Sequence, residues 1–288
     1  MLIFNGLKKQ TRIKIILYIY NVHSSTNILK KVKIQLKSKD EIEKLRYACQ
    51  LAAEVLDMIT EHVKAGVSTK YLDDLCFQHI TEVQKATPAN IGYRGYEKTI
   101  CASINQVICH GIPSDDKILK DGDIMNIDVT VKKDGWYGDT SKMFLIGKSE
   151  PHNQRLVKVT QECLYLGINE VKPGARLGNI GAAIQSHAEN NHYSVVEDYC
   201  GHGIGQIYHD EPQILHFGKR DSGLEIKPGL CFTIEPMINQ GDKRTKVLND
   251  GWTVVTKDGR NSAQWEHTVA VTENGYDVLT KRSEEALD

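Results

Sequence analysis

The chain contains no run of about 18 apolar residues, so no segment reads as a membrane-spanning helix. Its seven cysteines (49, 76, 101, 109, 163, 200 and 231) are scattered, odd in number and never spaced Cys-x-x-Cys. That pattern argues against a disulfide framework or a Cys-rich zinc module, and for reduced thiols in a cytoplasmic compartment. Acidic residues are missing from the first 39 positions, which carry nine Lys or Arg; the remainder holds 27 basic against 37 acidic residues, a net charge of −10. A body of that sign does not favour a diffuse nucleic-acid-binding surface. The opening segment also lacks the marks of export. Its longest clean apolar run is IILYIY, no Ala-x-Ala follows, and it is rich in Lys, Ile and Asn where a transit peptide is rich in Arg and Ser. Residues 1–33 are therefore expected to be a disordered tail, or to derive from a start codon assigned too far upstream, ahead of one catalytic domain over 34–288.

At 288 residues and 40% hydrophobic content, there is ample chain for a full-sized core. Ser38-Lys39-Asp40-Glu41 is a capping-box pattern, and Ile42, Leu45, Cys49, Ala52, Leu56 and Ile59 follow at helical spacing until Gly66. A shorter helix is expected from about Thr69 to Gln84, and two more near Asn153–Val171 and Leu177–Asn190. DIMNIDVTVKKDGWYGDTSKMFLI reads as a hairpin turning at Lys133-Asp134-Gly135. Two stretches recur. LKDGDIMNID (119–128) has the shape of IKPGLCFTIE (226–235), 107 positions later. Residues 54–79 align without gaps on 162–187 with six identities in 26. Each half then reads helix, helix, His-x-x-Pro, then a strand ending in a carboxylate. This predicts an α+β fold of two pseudo-symmetric halves, with helices backing a mostly antiparallel sheet. The alternative is two αβ segments alike only by composition.

A two-fold of that kind places Asp128 and Glu235 at equivalent positions. Asp139, on the return strand of the hairpin, falls across from or diagonal to Asp128. Glu266, in QWEHTVAV, opens a later strand. Any one such acid is ordinarily a solvated outward residue, but four within apolar strands would each cost several kcal/mol if buried without compensation. His202, flanked by glycines in YCGHGIG, is the fifth candidate. It reads either as a ligand or as a core histidine in a Gly-rich bend; a Cys200/His202 zinc site lacks a second such pair. Four carboxylates balance two divalent cations, with one imidazole as the nitrogen donor, a set suited to Mn, Fe(II), Co or Zn. Two bridged ions acidify a shared water and clamp a tetrahedral oxyanion, which is hydrolytic equipment.

GYRGY, ICHGIP, NIDVT, GDTSKMF, CGHGIG, HDEPQ, FTIEPM, DGWT and the Glu-His of QWEHT resemble the motifs of type I methionine aminopeptidases, the bacterial-type family of the pita-bread fold. The resemblance runs from about Ile34 to Thr280. It implies that Asp128, Asp139, His202, Glu235 and Glu266 ligate two divalent ions, with Asp139 and Glu266 bridging. It further implies that Glu235 is the general base and that His110 and His209 contact the scissile amide and its carbonyl. The implied reaction releases Met from nascent polypeptides whose second residue is small and uncharged. Tyr93, Tyr96, Cys101, Tyr208 and Trp252 match the family positions around the methionine pocket, although each could equally be ordinary packing. Three departures stand out. Asn90 falls where relatives often carry a small or sulfur-bearing residue, Tyr208 where the family usually has Phe, and Trp265 where it often has Tyr.

A monomer is expected, with no membrane partner. The basic loops GDKRTKVLNDG and GKRDSGLEIK, bland as solvated loops, are candidates for docking on ribosomal RNA through Lys243, Arg244 and Lys246. A proline-specific peptidase of the same fold is disfavoured because such enzymes carry a sizeable N-terminal domain, whereas fewer than 40 residues precede the first helix here. A non-catalytic relative that binds RNA or partners is disfavoured because all five ligand positions and both histidines are present.

Overall fold

The computed structural model of the protein describes residues 34–285, so the expectation for residues 1–33 lies outside the described residues. The first helix, α1 (Lys39–Ile59), begins where the capping box puts it: the Glu41 amide donates to the Ser38 hydroxyl, and the Ser38 amide donates back to the Glu41 carboxylate at 2.8 Å. Then come α2 (Thr69–Gln78), capped by Ser68, β1 (Thr87–Pro88), β2 (Ile100–Ile104), β3 (Val107–Cys109), β4 (Ile124–Lys133) and β5 (Trp136–Leu145). The second half supplies α3 (Pro151–Asn169), α4 (Leu177–Asn190), β6 (Ser194–Val195), β7 (Gly201–Gly203), β8 (Asp210–Ile214) and β9 (Cys231–Ile234). It continues through β10 (Met237–Asn239), β11 (Thr245–Val247), β12 (Val254–Thr256), β13 (Ser262–Gln264), β14 (His267–Val271) and β15 (Tyr276–Val278). The helix expected to reach Gln84 stops at Gln78 and is finished by a wider π turn over His79–Val83.

Every strand ladder among the described residues is antiparallel. The strands divide into four hydrogen-bonded sheets instead of one continuous surface, the two largest being β1-β4-β2 with β5 on β4, and β15-β14-β9-β7-β8. The β4–β5 hairpin turns at Asp134-Gly135, both with positive φ (49° and 86°), as a two-residue turn between right-twisted strands requires.

The duplication is written in hydrogen bonds. In the first half the Gly66 amide donates to the Leu119 carbonyl (2.8 Å) and the Leu119 amide to that of Val67 (2.9 Å). In the second, Gly174 donates to Ile226 (2.9 Å) and Ile226 to Ala175 (2.7 Å). The isolated bridges Ser68↔Ile118 and Arg176↔Glu225 repeat the same relation. Composition alone does not reproduce a clasp of this geometry at the same spacing.

Each half has its own apolar core. In the first, Val55, Leu56, Ile59 and Leu72 pack on Ile100, Ile127 and Val129; in the second, Leu156, Leu164, Ile180 and Ile184 pack on Ile214, Phe232 and Val269. A third cluster joins Leu45, Ala48 and Cys49 of α1 and Trp136 of β5 to Cys231 and Ala270 of the second half. The helix lies so close to β5 at this seam that a Cβ on Gly138 would stand 2.3 Å from the Ala48 carbonyl oxygen. Gly138→Ala should therefore cost about 1–3 kcal/mol by overpacking against backbone. Urea denaturation checks this, with a lower midpoint at unchanged slope expected; an unchanged midpoint contradicts the packing described.

Candidate metal centre and active site

The β pleat puts Asp128 and Thr130 on one face of β4, and the register pairs Asp128 with Ser141 and Thr130 with Asp139. Asp139 is thus diagonal to Asp128 across the hairpin. Glu235 immediately follows β9, and Glu266 immediately precedes β14, its ladder partner. Glu266 is tied to the first half as well: its amide donates to the Ser141 carbonyl (3.3 Å), and the Thr140 hydroxyl donates to its own carbonyl (2.8 Å). The Thr268 hydroxyl donates to the Asp139 carbonyl at 2.8 Å, closing the seam.

His202, in β7, completes the cluster. Its backbone amide donates to the Thr233 hydroxyl (3.0 Å), and its Nδ1 lies 3.0 Å from the Gly203 carbonyl. A carbonyl can only accept, so Nδ1 carries the proton of the neutral ring and Nε2 offers its lone pair. Nε2 is 3.5 Å from Asp139 Oδ2 and 3.7 Å from Glu235 Oε1. Asp139, His202 and Glu266, all buried, bring one donor atom each to within 4.8 Å of one another.

The electrostatics of the cluster demand cations. Burial, then the charges of Asp139 and Glu235, push the Asp128 carboxyl well above its ordinary range. Burial and the other three acids do the same to Glu266. Burial lifts Glu235 to about 7, against the opposing pull of His202. For His202 burial disfavours the charged ring, but Asp139 and Glu235 outweigh it and raise the pKa. Oxygen-rich donors around one fixed imidazole lone pair, crowded until they hold protons, fit divalent ions of the Mn, Fe(II), Co and Zn class.

Around this centre stand the other residues singled out by sequence. The His202 and His209 rings are 4.2 Å apart. Tyr93 stacks on His209 at 4.9 Å and meets Tyr208 at 4.7 Å. Trp252 lies edge-on to Tyr96 (5.0 Å) and to His110 (5.9 Å). Cys101 is the ladder partner of Asp128, which places its buried thiol beside that carboxylate. His110 holds a left-handed backbone (φ 56°), unusual for a residue with a side chain. The next residue must be glycine, because a Cβ on Gly111 would stand 2.2 Å from the Ala102 carbonyl oxygen. Burial, followed by the charge of Arg94, lowers the His110 pKa to about 4; burial and the nearby His202 also hold that of His209 well below the ordinary histidine range. Both rings are neutral at physiological pH and can each offer one N–H.

Residues 43–273 match the sequence model of metallopeptidase family M24. The methionine aminopeptidases of Salmonella typhimurium and Escherichia coli are 56% and 55% identical over 254 residues, covering 88% of this chain and 96% of theirs. The crystal structure of methionine aminopeptidase from Rickettsia prowazekii superposes with a TM-score of 0.85 at 52% identity, over 86% of this chain and all of that one. This chain belongs to the methionine aminopeptidases of family M24. A prolidase from Pyrococcus furiosus shares the fold only (TM-score 0.68, 22% identity), and this chain covers 66% of it.

Within the family frame, several residues passed over by sequence reading hold the predicted ones in place. The Thr130 hydroxyl donates to Asp139 Oδ1 (2.8 Å), and Thr233 donates to Glu235 Oε1 (2.9 Å). Gln264 donates to Glu235 Oε2 at 3.3 Å, and buried His216 accepts the Glu235 amide at 3.1 Å. Thr130 and Thr233 were within reach of the pattern, since each lies two residues from a strand carboxylate and so on the same face. Two departures meet: the Tyr208 hydroxyl donates to Asn90 Oδ1 at 2.6 Å. The third, Trp265, packs in the second core and donates its indole N–H to the Val157 carbonyl (3.1 Å).

Burial and mutual repulsion raise the folded pKa values of Asp128 and Glu266, so the metal-stripped protein loses stability as pH rises above the unfolded carboxylate range, about pH 4. Below about pH 6.5, buried neutral His110, His209 and His216 act with the opposite sign, since the unfolded chain takes up their protons. The gap in melting temperature between Mn-loaded and stripped protein should therefore widen from about pH 7 to about pH 8. Differential scanning calorimetry measures it, and a gap independent of pH contradicts the buried-acid account.

Proposed function

We propose that this protein removes the N-terminal methionine from nascent polypeptides whose second residue is small and uncharged. The observation carrying the proposal is the convergence of Asp139, His202 and Glu266, with Asp128 and Glu235 beside them, next to the ring cluster of Tyr93, Tyr208 and His209. Asp128, Asp139, His202, Glu235 and Glu266 would hold two divalent ions. When bound, such a pair supplies Lewis acidity toward water and toward the scissile carbonyl.

The chain's own groups account for the rest. Glu235, with a pKa near neutrality before cations bind, takes a proton from water and returns it to the leaving amine. Thr233 and Gln264 fix the orientation of that carboxylate by one hydrogen bond to each oxygen. His110 and His209, neutral, donate N–H groups to the amide and carbonyl of the bond being cut, where negative charge builds in the transition state. Tyr93, Tyr96, Cys101, Tyr208 and Trp252 enclose the methionine side chain and exclude water from it. All seven cysteines are free thiols, six of them buried, in keeping with a reducing cytoplasm. No helix among the described residues is long and apolar enough to cross a membrane.

Ribosome docking through the basic loops has thinner support, because Lys243 is paired with Glu197 (2.7 Å), Arg244 with Asp242 and Arg220 with Glu170 (2.6 Å). Surface cations satisfied in this way have less charge to offer phosphate. Reversing Lys243, Arg244 and Lys246 should abolish co-sedimentation with ribosomes if the loops dock there; unchanged co-sedimentation removes the idea.

Metal-dependent release of Met from Met-Gly-Met, with none from Met-Lys or Xaa-Pro peptides, is the expected assay result. No release with Co, Mn or Fe(II) contradicts the proposal. Asp128→Asn should lower the calorimetric metal stoichiometry together with activity. His110→Ala should lower kcat by about 100-fold or more while metal content stays normal; loss of metal would instead make His110 a ligand.

A further inference from the structure

One buried polar chain leaves the first half of the molecule, passes through Tyr208 of the second and returns to the first at the Asp139 carboxylate. It starts at the Thr99 carbonyl, which accepts from Asn90 Nδ2 at 3.0 Å. That bond fixes the amide orientation and turns Asn90 Oδ1 toward the Tyr208 hydroxyl, 2.6 Å away. The same hydroxyl lies against Thr130 Oγ1, which is 2.8 Å from Asp139 Oδ1. Asn90, Thr130 and Tyr208 are all buried, Thr130 completely. Two hydroxyl protons serve three oxygen–oxygen contacts, so these groups are held as one network, and removing an oxygen from any link changes the others.

The Tyr208 ring is also a wall of the recess. It is stacked on Tyr137 (5.4 Å, 12° between planes) and touches Tyr93 (4.7 Å) and His209 (4.1 Å). The ring can rotate or tilt only by breaking the bond to Asn90 or the contact with Thr130. Meanwhile Asp139 Oδ2 points at His202 Nε2, so Thr130 sets which oxygen of that carboxylate faces the imidazole.

We propose that Asn90 and Tyr208 form a coupled positioning pair, in which Asn90 anchors the Tyr208 hydroxyl and so fixes both the aromatic wall of the methionine recess and the Thr130 hydroxyl that orients Asp139. The inference rests on the proposed function for its substrate readout but not for its metal readout. Neither residue touches the reacting bond: Asn90 acts through Tyr208, and Tyr208 acts through the placement of its ring and through Thr130. Asn90 is thus a determinant of substrate fit although it lies behind the recess.

The test is a double-substitution cycle on the full chain with Asn90→Ala, Tyr208→Phe and both together. KM and kcat for Met-Gly-Met, and Mn2+ affinity by calorimetry, are measured for all four proteins. Asn90→Ala removes the acceptor of the Tyr208 hydroxyl proton, leaving Thr130 Oγ1 as the partner it turns to, and is expected to raise KM about tenfold with kcat changed by less than about threefold, a coupling typical of residues sharing one network. It should also weaken Mn2+ binding several-fold, since Thr130 then bonds Asp139 differently. Adding Tyr208→Phe to Asn90→Ala removes the redirected hydroxyl and should bring no further loss in either quantity. Substitution effects that multiply independently, in KM or in Mn2+ affinity, overturn the proposal. If Asn90→Ala does not fold, Tyr208→Phe alone decides, since it keeps the ring: unchanged KM and Mn2+ affinity overturn the pair. Should no variant, nor the unsubstituted protein, release Met, the functional reading fails while the calorimetric cycle still judges the coupling.

Discussion

Asp128, Asp139, Glu235 and Glu266 face one another in a pocket where water screens little, and the energetics of the site follow from that crowding. Burial and mutual repulsion hold Asp128 and Glu266 protonated far above the usual carboxylate range. A protein gains nothing in stability from such a cluster by itself. In a metallopeptidase, divalent cations can take the place of those protons. The Gly203 carbonyl, Thr130, Thr233 and Gln264 fix the orientation of His202, Asp139 and Glu235.

Duplication explains how a chain assembles four acids at one point. Each half folds around its own apolar core and carries the same paired hydrogen bonds ahead of its second helix; each also offers a carboxylate, though Asp128 lies in the middle of β4, not at its expected end, and Glu235 just past the end of β9. The halves meet along β5 and β14, where Thr140, Ser141 and Thr268 bond across to Glu266 and Asp139. Asn126 adds a crossing of its own, donating to the Gln264 carbonyl at 2.7 Å. The five proposed ligands are thus not side chains hung on loops. They lie in or directly beside strands, a placement that restricts their movement as a metal site requires.

Much of this was readable in the residues, for stated reasons. Strand periodicity puts Asp128 on one face and the Asp134-Gly135 turn fixes the register that brings Asp139 diagonal to it. The 107-residue repeat foretold Glu235. Less was readable where geometry depends on contacts distant in sequence. The helix expected to reach Gln84 keeps α geometry only to Gln78 and continues as a π turn to Val83, a change of hydrogen-bond spacing that the residue pattern does not announce. The left-handed backbone of His110 follows from the close approach of Gly111 to Ala102, which no local pattern announces. Asn90 and Tyr208, 118 positions apart, appeared as unrelated departures from the family and prove to be hydrogen-bonded partners.

The central claim is that acids from both halves and the one imidazole share a pair of divalent ions. Anomalous diffraction at the manganese edge from Mn-soaked crystals tests it most directly. The account predicts two peaks, both in contact with Asp139 and Glu266, one also touching His202 and Glu235 and the other Asp128. A single peak away from Asp128, or peaks that leave any of the five side chains without a metal, would contradict it.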